Sequence, residues 1–314
     1  MCGIIGYVGN RHQAVDVLID GLTALEYRGY DSSGVAFIQN NKIKIVKTSG
    51  KIENLKNKLK DLNITNTKIG IGHTRWATHG IPNDINAHPH SVGKVTIVHN
   101  GIIENYELLK EELIIKGYKF KSETDTEIAC ALIDDLLKED NDKINVLIKL
   151  SNKLRGSYAL GIIFNDELDV IYAMRKDSPL IIATSDDENF IASDVPAILK
   201  YTNKYILLEK DEYARISTSD IKVYNKQKKE ITKEIQIANW TIDQASKNGY
   251  DHFMLKEIYE EPTVVSNIMN NYIKNSCHDV IDNMIDYSKY ENIHIVGCGS
   301  AMHAAMIGKY LIEK

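Results

Sequence analysis

The sequence predicts an α+β protein in which two antiparallel sheets are covered by helices. Two pairs of strand-like segments indicate β-hairpins: residues 34–38 with 42–47 across an Asn-Asn turn, and residues 158–164 with 168–173 across an Asn-Asp turn. Hairpins imply antiparallel sheets. Because helical patterns lie between these two groups of strands, the order of elements does not fit simple β-α-β alternation and favours two sheets covered by helices.

The remaining elements of the first 240 residues follow from hydrophobic periodicity. Residues 3–8, GIIGYV, predict a buried strand, and residues 14–25 predict a helix with apolar side chains at helical spacing. Two further strands, KIGIG at residues 68–72 and KVTIV at residues 94–98, each precede a polar motif. Four further helices are predicted, over residues 52–62, 105–116, 125–138 and 144–154.

The pattern changes around residues 226–249, where the chain becomes polar and rich in lysine. We expect a linker and a domain boundary near residue 240, which divides the chain into domains 2–240 and 241–314. Beyond it, helices are predicted over residues 253–258 and 263–273, with Pro262 in the first turn of the second. A short buried strand over residues 293–296, a glycine turn and a helix to residue 314 complete one β-α unit.

Composition indicates a globular protein. The chain has 314 residues, of which 43% are hydrophobic and 26% charged, so it can bury a substantial core. The formal net charge is −5 and the only clustered basic stretch is KQKK at residues 226–229, which gives no support for a nucleic-acid partner. No apolar run approaches the roughly 20 residues that span a bilayer. We therefore expect a cytoplasmic protein without a membrane partner.

Cysteine and histidine usage gives no metal motif. The four cysteines, Cys2, Cys130, Cys277 and Cys298, are far apart, which argues against a zinc ribbon and a disulfide scaffold. Five histidines fall within residues 73–99, but none forms the i, i+4 helical pair of a metalloprotease. We predict no metal and no organic cofactor, and we expect these histidines to be solvated or hydrogen-bonded loop residues.

Cys2 follows the initiator methionine directly, in the sequence MCGIIGYVGN. Removal of Met1 would leave a thiol and a free α-amine on one residue, and an α-amine with a pKa of about 8 can accept the thiol proton near neutral pH. A cysteine can equally be a small buried apolar residue. Position alone leaves both interpretations open.

Three polar stretches could complete a site around such a nucleophile. HTRWATHG at residues 73–80 and HNGIIEN at residues 99–105 each follow a predicted strand, which places them at strand ends. In SETDTE, residues 122–127, Thr124 or Ser122 can cap the following helix, with Asp125 and Glu127 in its first turn. Alone, the third stretch is a capping motif.

Five strings in this order, MCGIIGYVG, LEYRGYDSSG, HTRWATHG, HNGIIENY and SETDTE, resemble the class II glutamine amidotransferases over roughly residues 2–240. The resemblance implies the N-terminal-nucleophile fold, a four-layer αββα sandwich. It also implies that glutamine is the substrate. Cys2 would attack the side-chain amide of glutamine and form a thioester.

The resemblance further assigns roles to named residues. Asn100 through its side-chain amide and Gly101 through its backbone N–H match the family's oxyanion hole. Arg75 would bind the α-carboxylate of glutamine and Asp125 its α-ammonium group. Four further residues match the loops around the substrate: Thr78 and His79 as carboxylate contacts, Trp76 as the gate for ammonia, and Arg28 in support of the nucleophile.

The last 65 residues resemble one branch of the family. YDHFMLKEIYEEP, residues 250–262, is similar to the segment that joins the glutaminase to a sugar isomerase half in the members that aminate fructose 6-phosphate. IVGCGSAMHAA, residues 295–305, is similar to the first phosphate-binding loop of that half, with Ser300 as a phosphate contact. Ala301 departs from the serine usual in the family. Met302 replaces the third glycine of a dinucleotide fingerprint, which excludes that interpretation.

These observations predict that the chain supplies the glutaminase half of a longer enzyme that makes glucosamine 6-phosphate from glutamine and fructose 6-phosphate. A homodimer formed through the isomerase half is also implied by the resemblance. Two alternatives stay open: another class II amidotransferase, such as those of purine or asparagine synthesis, and a non-catalytic regulatory module that binds glutamine.

Overall fold

The computed structural model describes residues 2–239, 249–250, 252–270, 286 and 289–313. The chain divides into two compact units, Met1–Asn248 and Gly249–Lys314. The first unit contains two antiparallel sheets and five helices among its described residues.

One sheet, called sheet A, has eight strands in the order β15-β11-β9-β10-β1-β4-β2-β3, so that β1 and β4 are central. Its strands are β1 (Gly3–Gly9), β2 (Ser32–Gln39), β3 (Lys42–Ser49), β4 (Ile69–Arg75), β9 (Ile181–Ser185), β10 (Glu188–Ala192), β11 (Lys204–Leu207) and β15 (Gln236–Ile237).

The other sheet, called sheet B, has seven strands in the order β14-β13-β12-β8-β7-β6-β5. Its strands are β5 (His90–Val92), β6 (Val95–Ile103), β7 (Gly156–Phe164), β8 (Glu167–Lys176), β12 (Glu212–Ile216), β13 (Ile221–Tyr224) and β14 (Glu230–Ile231). The helices of the first unit are α1 (Ala14–Ala24), α2 (Ile52–Lys60), α3 (Tyr106–Ile115), α4 (Asp125–Leu136) and α5 (Lys143–Lys153).

Three apolar layers hold the first unit together. Sheet A packs against α1 and α2 on one face and against sheet B on the other, and sheet B packs against α3, α4 and α5. The order of layers is therefore helix, sheet, sheet, helix. This arrangement confirms the predicted α+β class and the αββα sandwich implied by the resemblance. Residues typical of the three layers are Ile5, Leu18 and Leu55, then Ile4, Ile71 and Val98, then Ile97, Leu113 and Ile133.

The two predicted hairpins are confirmed. In the first, Asn40 and Asn41 connect β2 to β3 with φ values of 53° and 58°. Two central residues with positive φ define the type I′ turn, whose twist matches that of the flanking strands. The five predicted helices of the first unit also form, with ends shifted by at most two residues.

Two predicted strands continue further than their apolar patterns. β4 includes His73 and Arg75, and β6 includes His99, Asn100 and Gly101, so the polar motifs begin within strands rather than after them. Backbone pairing explains the difference, since Arg75 still lies opposite Ser32 in β2. A ladder continues wherever a neighbouring backbone is available, whatever the polarity of its side chains. Strands β9 to β15 carried no pattern that the sequence analysis singled out.

The second unit contains α6 (Phe253–Ile268) and α7 (Ser300–Ile312). The predicted break between residues 258 and 263 is wrong, because α6 continues through Pro262, which lacks a backbone donor for the helix. The predicted buried strand over residues 293–296 is also wrong. Val296 is 95% exposed, and no strand pairs with this segment in the part of the chain that the structure describes. Residues 240–248 of the predicted linker and residues 271–273 of the predicted helix lie outside the described residues.

Within the described ranges, no helix combines the length and the apolar character needed to cross a membrane.

The layer between the sheets predicts a strong dependence of stability on its side chains. Ile71→Ala should lower the free energy of unfolding by about 2–5 kcal/mol, because Ile71 is fully buried between the sheets and its truncation leaves a cavity. Ile45→Ala, at a position 37% exposed on β3, should cost less than about 1 kcal/mol. Urea unfolding of both variants followed by circular dichroism measures the difference, and equal losses would contradict the packing described.

Candidate active site

Cys2 lies immediately before β1, in the centre of sheet A. Its Sγ accepts a hydrogen bond from the backbone N–H of Trp76 at 3.2 Å and lies 3.5 Å from the carbonyl oxygen of the same residue. Trp76 directly follows β4, which pairs with β1. The pairing of these two central strands therefore sets the position of the thiol.

The carbonyl oxygen of Cys2 accepts two side-chain hydrogen bonds. The Asn100 Nδ2 atom donates at 3.0 Å from sheet B, and the Arg28 Nε atom donates at 3.2 Å. Arg28 is itself held by a 2.7 Å ion pair between its Nη1 atom and Asp194. Asn100 and Arg28 thus both contact Cys2, and their hydrogen bonds fix the carbonyl group of the residue that carries the thiol.

Beside Cys2 is a small cavity of about 10 Å³, roughly the space of one water molecule. Its wall contains five of the residues assigned from the sequence together with Cys2. Trp76, Thr78 and Gly101 are its exposed members, and the cavity is too small to admit an amino acid unless its wall moves. The lining residues are Cys2, Arg75, Trp76, Thr78, His88, His99, Gly101, Thr124, Asp125 and Thr126.

Arg75 is the buried cation of this cavity. Its Nη2 atom donates to the carbonyl oxygens of His79 and Gly80, the latter at 3.2 Å. Its Nη1 atom is buried and has no hydrogen-bond partner among the described residues. Burial lowers the pKa of the guanidinium group, but arginine stays charged in proteins. A charged donor left unsatisfied in a cavity wall favours a ligand that carries an anionic acceptor.

Asp125 supplies a buried carboxylate to the same cavity. It is the first residue of α4, and its Oδ2 atom accepts the backbone N–H of Ile103 at 2.9 Å. The predicted cap is confirmed at Thr124, whose hydroxyl accepts the backbone N–H of Glu127. A helix N-terminus favours negative charge, which suits a carboxylate at the first position of α4.

Four assigned residues are not in the cavity wall: Asn100 and Arg28, which bind the carbonyl oxygen of Cys2, and His79 and Ser300. The ring of His79 packs edge-on against Tyr106 at 5.1 Å between centroids, and its contribution to the site is the carbonyl oxygen that accepts from Arg75. Ser300 belongs to the second unit, where it is the exposed first residue of α7.

The structure adds a residue that the sequence analysis missed. The Asp31 Oδ2 atom accepts the backbone N–H of Ala77 at 2.8 Å, and the Asp31 N–H donates to the carbonyl oxygen of Arg75 at 3.0 Å. Asp31 therefore holds the chain where it leaves β4. Gly29 allows the close approach, since a Cβ there would lie 2.7 Å from the Arg75 carbonyl carbon. The signal was present in LEYRGYDSSG, where Asp31 stands two residues after Gly29 and an aspartate can bond to nearby backbone groups.

Four buried histidines form a cluster beneath the cavity. Ring centroids are 4.2 Å apart for His73 and His88, 5.1 Å for His88 and His90, and 6.4 Å for His88 and His99. Burial lowers the pKa of all four, to about 3 for His73, so the imidazoles are neutral. We expected solvated or hydrogen-bonded loop residues; these four are hydrogen-bonded, but they are buried, and three of them lie on strands.

This histidine cluster is hydrogen-bonded to α4. Thr126 lies 2.9 Å from His99 Nδ1 and 3.1 Å from His88 Nε2, measured from its hydroxyl oxygen. The Thr124 hydroxyl lies 3.0 Å from His90 Nε2. Among the residues that the structure describes, no three or more His, Cys, Asp or Glu side chains are grouped to hold a metal ion.

The electrostatics of Cys2 favour the neutral thiol. Burial raises the pKa of Cys2, while the hydrogen bond from Trp76 and the positive charges of the N-terminus, Arg75 and Arg28 oppose that rise. The thiolate is the reactive form of cysteine, so a reaction at Cys2 near neutral pH needs a base that removes the proton.

Comparison with known proteins gives matches along the whole chain. Residues 73–200 match the model of a glutamine amidotransferase domain. The chain is 46% identical over 320 residues to a Clostridium perfringens protein named glutamine–fructose-6-phosphate aminotransferase (isomerizing), an alignment that covers 100% of this chain and 52% of that protein. A Pyrococcus horikoshii protein of the same name is 47% identical over 327 residues, with the same coverage. The chain spans about half the length of the curated relatives it matches.

A solved structure has the same fold. It is glutamine phosphoribosylpyrophosphate amidotransferase from B. subtilis, complexed with ADP and GMP. The TM-score is 0.61 and the identity 24%, over 72% of this chain and 49% of that chain. At this identity the likeness concerns the fold alone, and it agrees with the αββα sandwich described above.

The buried thiol predicts an unusual pH dependence of alkylation. In the protein that retains Met1, Cys2 should react with iodoacetamide with a midpoint at higher pH than the same cysteine in a peptide of sequence MCGIIG, because burial raises its pKa. Alkylation rates between about pH 6 and 11, followed by mass spectrometry of the N-terminal peptide, measure both midpoints. A midpoint in the protein at or below that of the peptide would contradict the assigned environment.

Proposed function

Because the chain belongs to the class II glutamine amidotransferase family, we propose that its first unit hydrolyses glutamine, with Cys2 as the nucleophile. One observation carries the proposal. Cys2, Arg75 and Asp125 line one cavity, and the buried Nη1 atom of Arg75 has no hydrogen-bond partner among the described residues. An amino acid carries the two opposite charges that such a pair recognises.

The base in this proposal is the α-amine of Cys2, which is free once Met1 is removed. The amine takes the thiol proton as sulfur attacks the side-chain carbonyl carbon of glutamine, and a tetrahedral intermediate forms. The intermediate collapses as the C–N bond breaks, and the leaving nitrogen takes the proton and departs as ammonia. Water then adds to the thioester, the C–S bond breaks, and glutamate and the thiol of Cys2 are released.

Stabilisation of the oxyanion falls to Asn100 and Gly101. The Asn100 amide uses one N–H on the carbonyl of Cys2 and has a second N–H available. Gly101 lies in the cavity wall with φ of 120°, and a Cβ there would lie 2.0 Å from the carbonyl oxygen of Ser157. Only glycine fits this position against β7, and its backbone N–H would be the second oxyanion donor.

Substrate recognition falls to the charged pair and the segment after β4. Arg75 would bind the α-carboxylate and Asp125 the α-ammonium group, with Thr78 as a further carboxylate contact. His79 would contribute through its backbone carbonyl oxygen, which accepts a hydrogen bond from the Arg75 guanidinium group and holds that group in place. Trp76 is exposed, and its backbone N–H bonds to the thiol. In this proposal Trp76 would gate the departure of ammonia.

For the longer protein, we propose the transfer of this ammonia to fructose 6-phosphate to form glucosamine 6-phosphate, a step of hexosamine biosynthesis. Support comes from the name that the relatives share, from the similarity of residues 250–262 to the segment that joins the two halves, and from the similarity of residues 295–305 to a loop of the isomerase half. Ser300 would contact the sugar phosphate. A cytoplasmic location and a homodimer formed through the isomerase half complete this proposal, and sedimentation of the longer protein tests the dimer.

Cys2→Ala should abolish glutamate release, with a fall of at least about a thousandfold in kcat, because the nucleophile is lost. The measurement is an assay of glutamate formed from glutamine by protein whose Met1 is removed. Cys130→Ala is the matched control, since Cys130 is a fully buried cysteine of the layer between sheet B and its helices and should leave kcat nearly unchanged. Undiminished release by Cys2→Ala would refute the proposal. If the wild-type protein released no glutamate, that result would support a non-catalytic module that binds glutamine.

Arg75→Lys should raise the KM for glutamine by roughly tenfold to a hundredfold, because lysine lacks the planar fork that pairs with a carboxylate. Steady-state kinetics with glutamine and with an amide analogue that lacks the α-carboxylate separate this effect from damage to the loop. The variant should lose little on the analogue. An equal loss on both substrates would show that Arg75 acts only by holding His79 and Gly80.

A further inference from the structure

We propose that the imidazole of His73 is a positioning residue that orients the side-chain amide of Asn100 toward Cys2. His73 is fully buried within β4, and its Nε2 atom lies 3.1 Å from Asn100 Oδ1 and 2.9 Å from the carbonyl oxygen of His99. The inference rests on the proposed function, in which Asn100 stabilises the oxyanion. It concerns a residue outside the cavity wall.

The hydrogen bonds of His73 determine its tautomer. Both neighbours of Nε2 are acceptors that can be satisfied only if Nε2 carries the hydrogen. The Nδ1 atom is buried and has no hydrogen-bond partner among the described residues, so no group competes for a hydrogen on that side. Neutral His73 in the Nε2–H form therefore fits its surroundings.

This tautomer fixes the direction of the Asn100 amide. With Oδ1 toward His73 Nε2–H, the Nδ2 atom faces the carbonyl oxygen of Cys2 at 3.0 Å. If the amide turned over, Nδ2 would face the Nε2–H donor, and Oδ1 would face the carbonyl oxygen of Cys2. Two hydrogen bonds would become two repulsive contacts, so the imidazole selects the orientation that presents N–H groups to Cys2.

The bond also joins the two halves of the site. His73 stands on sheet A together with Cys2, whereas Asn100 stands on sheet B. The contact between His73 and Asn100 therefore sets the oxyanion donor against the strand that carries the nucleophile. His88, stacked on His73 at 4.2 Å, limits rotation of the ring.

Two amide substitutions test the role of Nε2. A glutamine side chain can place its amide N–H near the position of Nε2, while an asparagine side chain reaches only the position of Nδ1. His73→Asn should lower kcat for glutamate release by about tenfold to a hundredfold with little change in KM, since one oxyanion donor is worth about 10²–10³ in kcat. His73→Gln should recover most of that loss.

His90→Asn is the matched control, because it removes another buried imidazole of the histidine cluster whose ring nitrogen meets the Thr124 hydroxyl and not Asn100. It should keep kcat within a small factor of the wild type. Circular dichroism and thermal unfolding of all three variants verify that each folds. Equal losses of kcat in folded His73→Asn and His73→Gln would overturn the proposal, as would an unchanged kcat in His73→Asn.

A spectroscopic measurement tests the tautomer without any assay of activity. Long-range 1H–15N correlation spectra of protein with 15N-labelled histidine should show His73 with its hydrogen on Nε2, and a hydrogen on Nδ1 would overturn the inference. Absence of glutamate release from the wild type would refute the proposed function alone. The 1H–15N spectrum would still test the tautomer of His73 independently.

Discussion

The apolar layer between the two sheets determines where the candidate active site can be. Side chains alternate along a strand, so residues two positions apart lie on the same face. Three polar residues of the site continue this layer at one end, each two positions along its strand from an apolar member: Cys2 from Ile4, His73 from Ile71, and Asn100 from Val98. The site is therefore the polar end of the inter-sheet core, and the packing that holds the sheets together also sets the distances between nucleophile and donors.

Placing polar groups at the end of an apolar layer requires that their hydrogen bonds be satisfied within the protein. The carbonyl of Cys2 meets Asn100 and Arg28, and the histidine cluster is neutral and bonded to the hydroxyls of α4. Some ring nitrogens of this cluster have no partner among the described residues, but those rings are neutral. Arg75 differs in being charged, with backbone carbonyls as the acceptors of one nitrogen and no described acceptor for another. These neutral carbonyl oxygens stabilise the positive charge of Arg75 without neutralising it, so the guanidinium group is available to bind a carboxylate.

The sequence was most informative about residues that belong to short motifs and least informative about buried polar side chains. Cys2, Arg75 and the Thr124 cap could be predicted because their neighbours form recognisable strings, and the Asn-Asn turn because its residues tolerate positive φ. His73 was not assigned a role, since a buried polar residue on a strand has the same sequence pattern as one on a loop. The strand predicted over residues 293–296 does not form, although the apolar run is typical of a strand, because a strand needs a neighbouring backbone with which to pair.

The position of Cys2 explains why the first peptide bond matters to the chemistry. While Met1 is attached, the nitrogen of Cys2 is an amide that cannot take a proton, and burial keeps the thiol in its neutral form. The positive charges of Arg75 and Arg28 near the thiol oppose that effect of burial without reversing it. Cleavage of Met1 would create a base on the same residue as the nucleophile without moving any strand. In the proposed mechanism the fold holds the thiol in place, and the α-amine at the chain end would act as the proton acceptor.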